Sequence, residues 1–268
     1  MDAGHEIVTE DLVVKEITRS RQPKNKIISW CSDSWRAILA EFLATISLLF
    51  FGCMTCVPID NLPMNPPLYG PLGFGLIVIL NIQIFGHISG AHMNPAVTLS
   101  AIIWGKISVV LGIGYIIVQF FGAIIGYGVL VGLSPANIST AVCITQPHAR
   151  FTEYQALGVE ILLTTGLVLA NCAVWDPVNV NNNESSSIKF GLIVAALCVA
   201  GGPLTGASMN PARSLGPAIW TNTWNAHWVY YAGPFLGSAS ATVFYKYVWL
   251  LKVKEPETLS WTGSKCRV

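Results

Sequence analysis

Charge is what this sequence has least of. Asp, Glu, Lys and Arg make up 11% of its 268 residues, less than half of the roughly 25% usual in soluble domains. With 53% hydrophobic residues and a mean hydropathy of +0.56, the chain has little to keep it in water, which excludes an ordinary soluble domain. Neither sign of charge is in excess, since 15 basic and 14 acidic residues leave a net +1. That excludes the basic surface nucleic acid needs and any acidic tail. No metal-ligand cluster, nucleotide loop or nucleophile–base constellation is visible, so no enzyme, cofactor or metal site is expected. His87 and His92 miss the i, i+4 spacing that puts two ligands on one helix face, and they are read as loop packing.

The seven cysteines do not form a disulfide framework by pattern. Cys53, Cys56, Cys172 and Cys198 lie in apolar runs, and Cys31 and Cys266 in polar ends. Cys143 stands in a polar loop with no partner nearby. Cys53-Met54-Thr55-Cys56 has the spacing of a redox pair. It closes an apolar run with no basic neighbour or helix-start signal, so both residues are expected to be buried thiols.

What the sequence does have is long apolar runs. Six are of spanning length, roughly 37–57, 68–88, 107–131, 155–175, 188–207 and 226–251; a spanning helix needs about 20 such residues. No cleavable leader is expected before them, since residues 1–36 read as polar. Two shorter stretches, about 93–103 and 209–219, begin Met93-Asn94-Pro95-Ala96 and Met209-Asn210-Pro211-Ala212. A helix that short reaches only about half-way through the roughly 30 Å hydrocarbon core. Lys15, Arg19, Arg21, Lys24, Lys26 and Arg36 precede the first span, and Lys246, Lys252, Lys254, Lys265 and Arg267 lie at or beyond the end of the last. Lys106 and Lys189 fall in loops on that same side. Both tails, 1–36 and 252–268, are therefore expected in the cytoplasm. Asn137-Ile138-Ser139 is then an external glycosylation sequon, whereas Asn183-Glu184-Ser185 lies on the wrong side.

The expected channel domain, 37–251, is internally repeated, with copies at about 37–131 and 155–251. Ala40-Glu41-Phe42-Leu43-Ala44-Thr45 opens the first and Val159-Glu160-Ile161-Leu162-Leu163-Thr164 the second. Each copy has three spans, with an Asn-Pro-Ala half-helix between its second and third. An odd number of spans per copy makes the repeat inverted, which places a functional site near the midplane. The expected fold is an all-α membrane protein of six transmembrane helices and two re-entrant half-helices.

Asn is a preferred helix N-cap and Pro a preferred first residue. One such tripeptide would be an ordinary cap; two in matching places, each after Met, would not. Entering from opposite faces, the half-helices aim two N-termini, each worth roughly +0.5 charge, at the midplane, where they oppose cations. Each Asn oxygen can cap its own helix while its NH2 faces a lumen. Glu41 and Glu160 are buried carboxylates in matching places. A scaffold role, accepting from backbone N–H groups of the re-entrant loops, is preferred to a proton relay, which needs no second copy.

Together, Gly86-His87-Ile88-Ser89-Gly90-Ala91-His92-Met93-Asn94-Pro95-Ala96-Val97-Thr98 and Thr205-Gly206-Ala207-Ser208-Met209-Asn210-Pro211-Ala212-Arg213-Ser214, with His227-Trp228 opening the last span, resemble the aquaporins of the major intrinsic protein family. The resemblance covers nearly all of 37–251 and implies one pore per subunit in a homotetramer in the cell membrane. It implies pore motifs at Asn94, Pro95, Ala96 and at Asn210, Pro211, Ala212. It also implies an outer selectivity filter of Phe74, Cys198, Ala207 and Arg213. Water-specific members have His where this chain has Cys198. Ser214 and Ala218 nevertheless match the water branch, and Tyr230 stands where glycerol channels have Pro; Tyr231, in place of the water branch's Trp, departs mildly. The combination is similar to the insect entomoglyceroporins, water-branch scaffolds that lost the filter His. Cys is smaller than His and behaves as an apolar wall. An apolar wall facing Arg213 suits glycerol, which has CH groups on one side and hydroxyls on the other. The expected function is a passive channel for glycerol, urea and water that excludes protons and ions. A strictly water-selective channel is the alternative. A structural junction protein would need a filter plugged by bulk, against which Ala207 and Cys198 argue.

Overall fold

The computed structural model describes residues 26–58, 67–134, 142–182 and 184–250. Asn137, Asn183, Cys266 and most of both tails lie outside them. The described residues form α1 (Lys26–Met54), α2 (Tyr69–Ser89), the half-helix α3 (Pro95–Trp104) and α4 (Val109–Leu133). The second copy follows as α5 (Glu153–Trp175), α6 (Ser186–Thr205), the half-helix α7 (Pro211–Thr221) and α8 (Val229–Phe244). No strand occurs among the described residues, and the fold is all-α, as the sequence implied.

Five helices are long and apolar enough to cross a membrane. The sixth, α8, has 16 residues and gains length from a π-helical turn at Tyr245–Trp249. It starts later than its apolar run because 225–228 are spent in turns. α1 differs the other way, beginning at Lys26 inside the expected polar tail. Helix formation there continues past the apolar residues that hydropathy reports. Leu76, Val110, Phe121 and Leu162 are all more than half exposed, as side chains that face lipid should be.

Packing repeats the sequence symmetry. α1 lies against α4 and α5 against α8, while α2 pairs with α6. Each half-helix packs chiefly on the last span of the opposite copy, α3 on α8 and α7 on α4. The close pairs depend on glycine. A Cβ at Gly122 would lie 2.8 Å from the Phe42 carbonyl oxygen, and one at Gly237 would lie 2.5 Å from that of Ile161. With hydrogen there instead, the helix backbones approach to contact, as small residues allow in membranes.

Candidate functional site

The residues just before each half-helix run through the same unusual backbone. Gly90 (φ 90°), Ala91 (48°) and Met93 (52°) are matched by Gly206 (81°), Ala207 (47°) and Met209 (51°). Left-handed non-glycine residues cost on the order of 1–3 kcal/mol each, so other contacts must hold these loops. Two buried carboxylates do so. Glu41 accepts from Ser89 Oγ (2.7 Å), His92 N (2.8 Å), Met93 N (2.7 Å) and Gln119 Nε2 (2.8 Å). Glu160 accepts from Thr205 Oγ1 (2.6 Å), Ser208 N (2.9 Å) and Met209 N (2.9 Å). Tyr115 and Tyr230 add a further matched pair, donating to the carbonyls of Ser89 and Thr205. Sequence reasoning missed Ser89, Thr205, Gln119 and both tyrosines. All but Gln119 have a counterpart in the other copy, and that pairing was the available signal.

Pro95 and Pro211 open the half-helices. Asn94 Oδ1 accepts from Ala96 N (2.8 Å), and Asn210 Oδ1 from Ala212 N (3.0 Å) and Arg213 N (3.2 Å). Their amide nitrogens cross over: Asn94 Nδ2 donates to Met209 O and Asn210 Nδ2 to Met93 O, both at 2.8 Å. The two half-helices thus meet N-terminus to N-terminus, each cap fastened to the other's loop. One N–H of each amide is used in this way, and both residues line the cavity.

That cavity has a volume of about 540 Å³. It is lined by Phe74, Cys198, Ala207 and Arg213, by Asn94 and Asn210, and by Gln83, His87 and Trp175. Leu48, Val78, Val97, Leu167 and Val194 give it an apolar wall. Asn171 also lines it, with an amide nitrogen that has no partner; the sequence carried no signal for this residue. His87 reaches the cavity. His92 holds Thr98 Oγ1 at 3.2 Å through Nδ1 and packs edge-on against Tyr115.

The Arg213 guanidinium lies 5.0 Å from the Phe74 ring centroid, within cation–π range. Its Nη1 donates to the carbonyl of Cys143. Cys198 is half-buried and packs against the core beside the same cavity. His227, in the turn before α8 rather than in the helix itself, has its pKa lowered by burial.

One expectation fails here. Cys143 is not without a partner and Cys53 is not a thiol, because the two form a disulfide with Cα atoms 5.3 Å apart. The partners are 90 residues apart in sequence. The fold brings the loop before α5 back over the end of α1, which the local context of either cysteine did not reveal. Cys56, Cys172 and Cys198 are free.

The model of the major intrinsic protein family matches residues 29–245. Aquaporin-4 of Mus musculus is 37% identical over 240 residues, covering 88% of this chain and 74% of that protein. The lens fiber major intrinsic protein of Gallus gallus is 37% identical over 219 residues, covering 80% and 82%. Among solved structures, the aquaglyceroporin from Plasmodium falciparum superposes with a TM-score of 0.68 at 26% identity, over 80% of this chain and 96% of that one.

Proposed function

Because the chain is a membrane channel belonging to the major intrinsic protein family, we propose that it conducts glycerol, urea and water passively and excludes protons and other ions. One observation supports the solute reading: Phe74, whose ring centroid lies 5.0 Å from the Arg213 guanidinium, lines the same cavity as Ala207, Cys198 and Arg213. The guanidinium supplies donors for hydroxyl or carbonyl oxygens, and the opposite side supplies apolar surface for CH groups. On this reading Phe74, Cys198, Ala207 and Arg213 form the filter, and Glu41 and Glu160 act as loop scaffold. Asn94, Pro95, Ala96, Asn210, Pro211 and Ala212 form the central constriction. The chain combines a water-branch scaffold with a filter that lacks His as in the entomoglyceroporins, matching them in part, since Cys198 stands where they usually carry Ala or Ser. Strict water selectivity is the second reading, favoured by Ser214 and Ala218.

The channel occupies 37–251 and assembles as a homotetramer in the cell membrane, with both tails cytoplasmic. This orientation follows from the Lys and Arg residues gathered at the two ends. An epitope inserted near Asn137 should bind antibody on intact cells, and binding there to a C-terminal tag instead would reverse the topology.

The geometry supports the exclusion of protons and other cations. Two helix N-termini, each worth roughly +0.5 charge, converge on the cavity below the fixed positive charge of Arg213. Reconstituted protein should therefore pass water and glycerol with no proton current above that of protein-free vesicles. A proton flux that scales with the amount of protein would contradict this account.

A further inference from the structure

We propose that the Cys53–Cys143 disulfide positions Arg213 by holding the carbonyl to which the guanidinium donates, so that it sets how tightly the channel discriminates by size. The inference rests on the reading of Arg213 as a filter residue. Cys53 and Cys143 are positioning residues in this scheme, since neither sulfur needs to touch the solute.

The geometry ties the parts together at the end of α1. Cys143 adopts φ 66°, a left-handed conformation that a non-glycine residue holds only when its surroundings impose it. That backbone presents its carbonyl to Arg213 Nη1. The covalent bond to Cys53, whose side chain is fully buried, anchors the residue to the last turn of a spanning helix. The flanking bonds hold other atoms of the loop: Tyr127 Oη donates to Val142 O (2.9 Å), and Thr145 Oγ1 to Ser214 Oγ (2.8 Å). Neither holds the Cys143 carbonyl itself. The residue before Cys53 serves the ring that the guanidinium lies against. A Cβ at Gly52 would lie 2.8 Å from Phe74 Cε1, so the ring beneath Arg213 rests on α1 immediately beside the disulfide. One end of one helix therefore fixes both the surface under the guanidinium and the acceptor beside it.

Without the disulfide, Cys143 can leave its left-handed conformation and take the acceptor with it. Arg213 then loses a charge-assisted hydrogen bond and gains freedom to swing toward the open mouth. The passage widens for glycerol and urea more than for water, which already fits.

The test uses the full chain in proteoliposomes and reads the ratio of glycerol to water permeability. The unmutated channel is compared with Cys53→Ser/Cys143→Ser, with Arg213→Val, and with the triple variant. The unmutated channel is also measured after reduction by a phosphine. There the S–S bond breaks, each sulfur takes a proton, and the phosphine becomes its oxide with oxygen from water. Mass analysis after alkylation confirms that reduction is complete. In the double variant and in the reduced channel the ratio should rise about tenfold or more, the scale of one hydrogen bond to a charged group. In the Arg213→Val background, loss of the cysteines should change nothing further. An unchanged or lower ratio overturns the proposal, as does an equal rise in the Arg213→Val background, or free thiols at both positions in the purified protein. If the double variant fails to assemble, the reduced channel decides. If Arg213→Val itself leaves the ratio unaltered, the filter reading has failed. If Arg213→Val shifts the ratio and disulfide loss does not, only the role of the disulfide has failed.

Discussion

Cys198→His should lower glycerol and urea flux by about tenfold or more while water flux stays within about threefold, an added barrier for the larger solutes of about 1.4 kcal/mol. The side chain lines the same cavity as Phe74, Ala207 and Arg213. An imidazole there adds ring volume and places a donor and an acceptor where an apolar wall stood. Glycerol needs that wall for its carbons while its hydroxyls meet Arg213. Water needs only a narrow hydrogen-bonding path. Osmotic swelling of proteoliposomes with each solute, normalised to the amount of reconstituted protein, measures both fluxes. The normalisation matters because overpacking a core can impair folding. Undiminished glycerol flux in a well-assembled variant would remove Cys198 from the filter.

Glu160→Leu should abolish the channel by loss of structure. Glu160 is fully buried and accepts from Thr205 Oγ1, Ser208 N and Met209 N. A leucine leaves these donors without an acceptor in a loop that already holds Ala207 and Met209 at positive φ. An unsatisfied buried donor costs about 1–3 kcal/mol, and three of them approach the whole stability of a typical domain. Detergent-solubilised protein should lose its monodisperse peak, and flux should vanish with it. Glu160→Gln keeps one acceptor oxygen and should fall between. A proton relay predicts otherwise: both variants would assemble normally and differ only in proton handling. Normal assembly of Glu160→Leu would therefore remove the scaffold role.

The elements that were legible in the sequence are those set by local rules. The apolar runs marked the spans because lipid demands about 20 such residues. Asn94-Pro95 and Asn210-Pro211 marked the half-helix starts because capping is decided within a turn. Their register is as regular as the motif suggests, with α3 and α7 both beginning at the proline. Helix ends were less legible. Lys26–Arg36 lie before the first apolar run yet are helical, and 226–228 belong to an apolar run yet form a turn.

At the site, the matching positions of Glu41 and Glu160 pointed to paired contacts. The donors they hold were not named in advance, because Ser89, Thr205 and Gln119 are unremarkable polar residues until the fold places them. The exchange of Asn94 and Asn210 amides with the opposite loop's carbonyls depends on the two copies meeting, which no local pattern encodes. The disulfide was the clearest miss. Cys53 sits at the end of an apolar helix and Cys143 in a loop 90 residues on, and only tertiary structure joins them. Asn171 was equally silent, one polar residue in an apolar span.

The most direct test of the solute reading is the unmutated protein itself, with water, glycerol and urea permeabilities measured in one proteoliposome preparation. A filter walled by Phe74, Ala207 and Cys198 against Arg213 predicts glycerol and urea permeabilities well above those of protein-free vesicles, alongside rapid water flux. Rapid water flux with glycerol and urea at the level of protein-free vesicles would contradict it and leave a strictly water-selective channel.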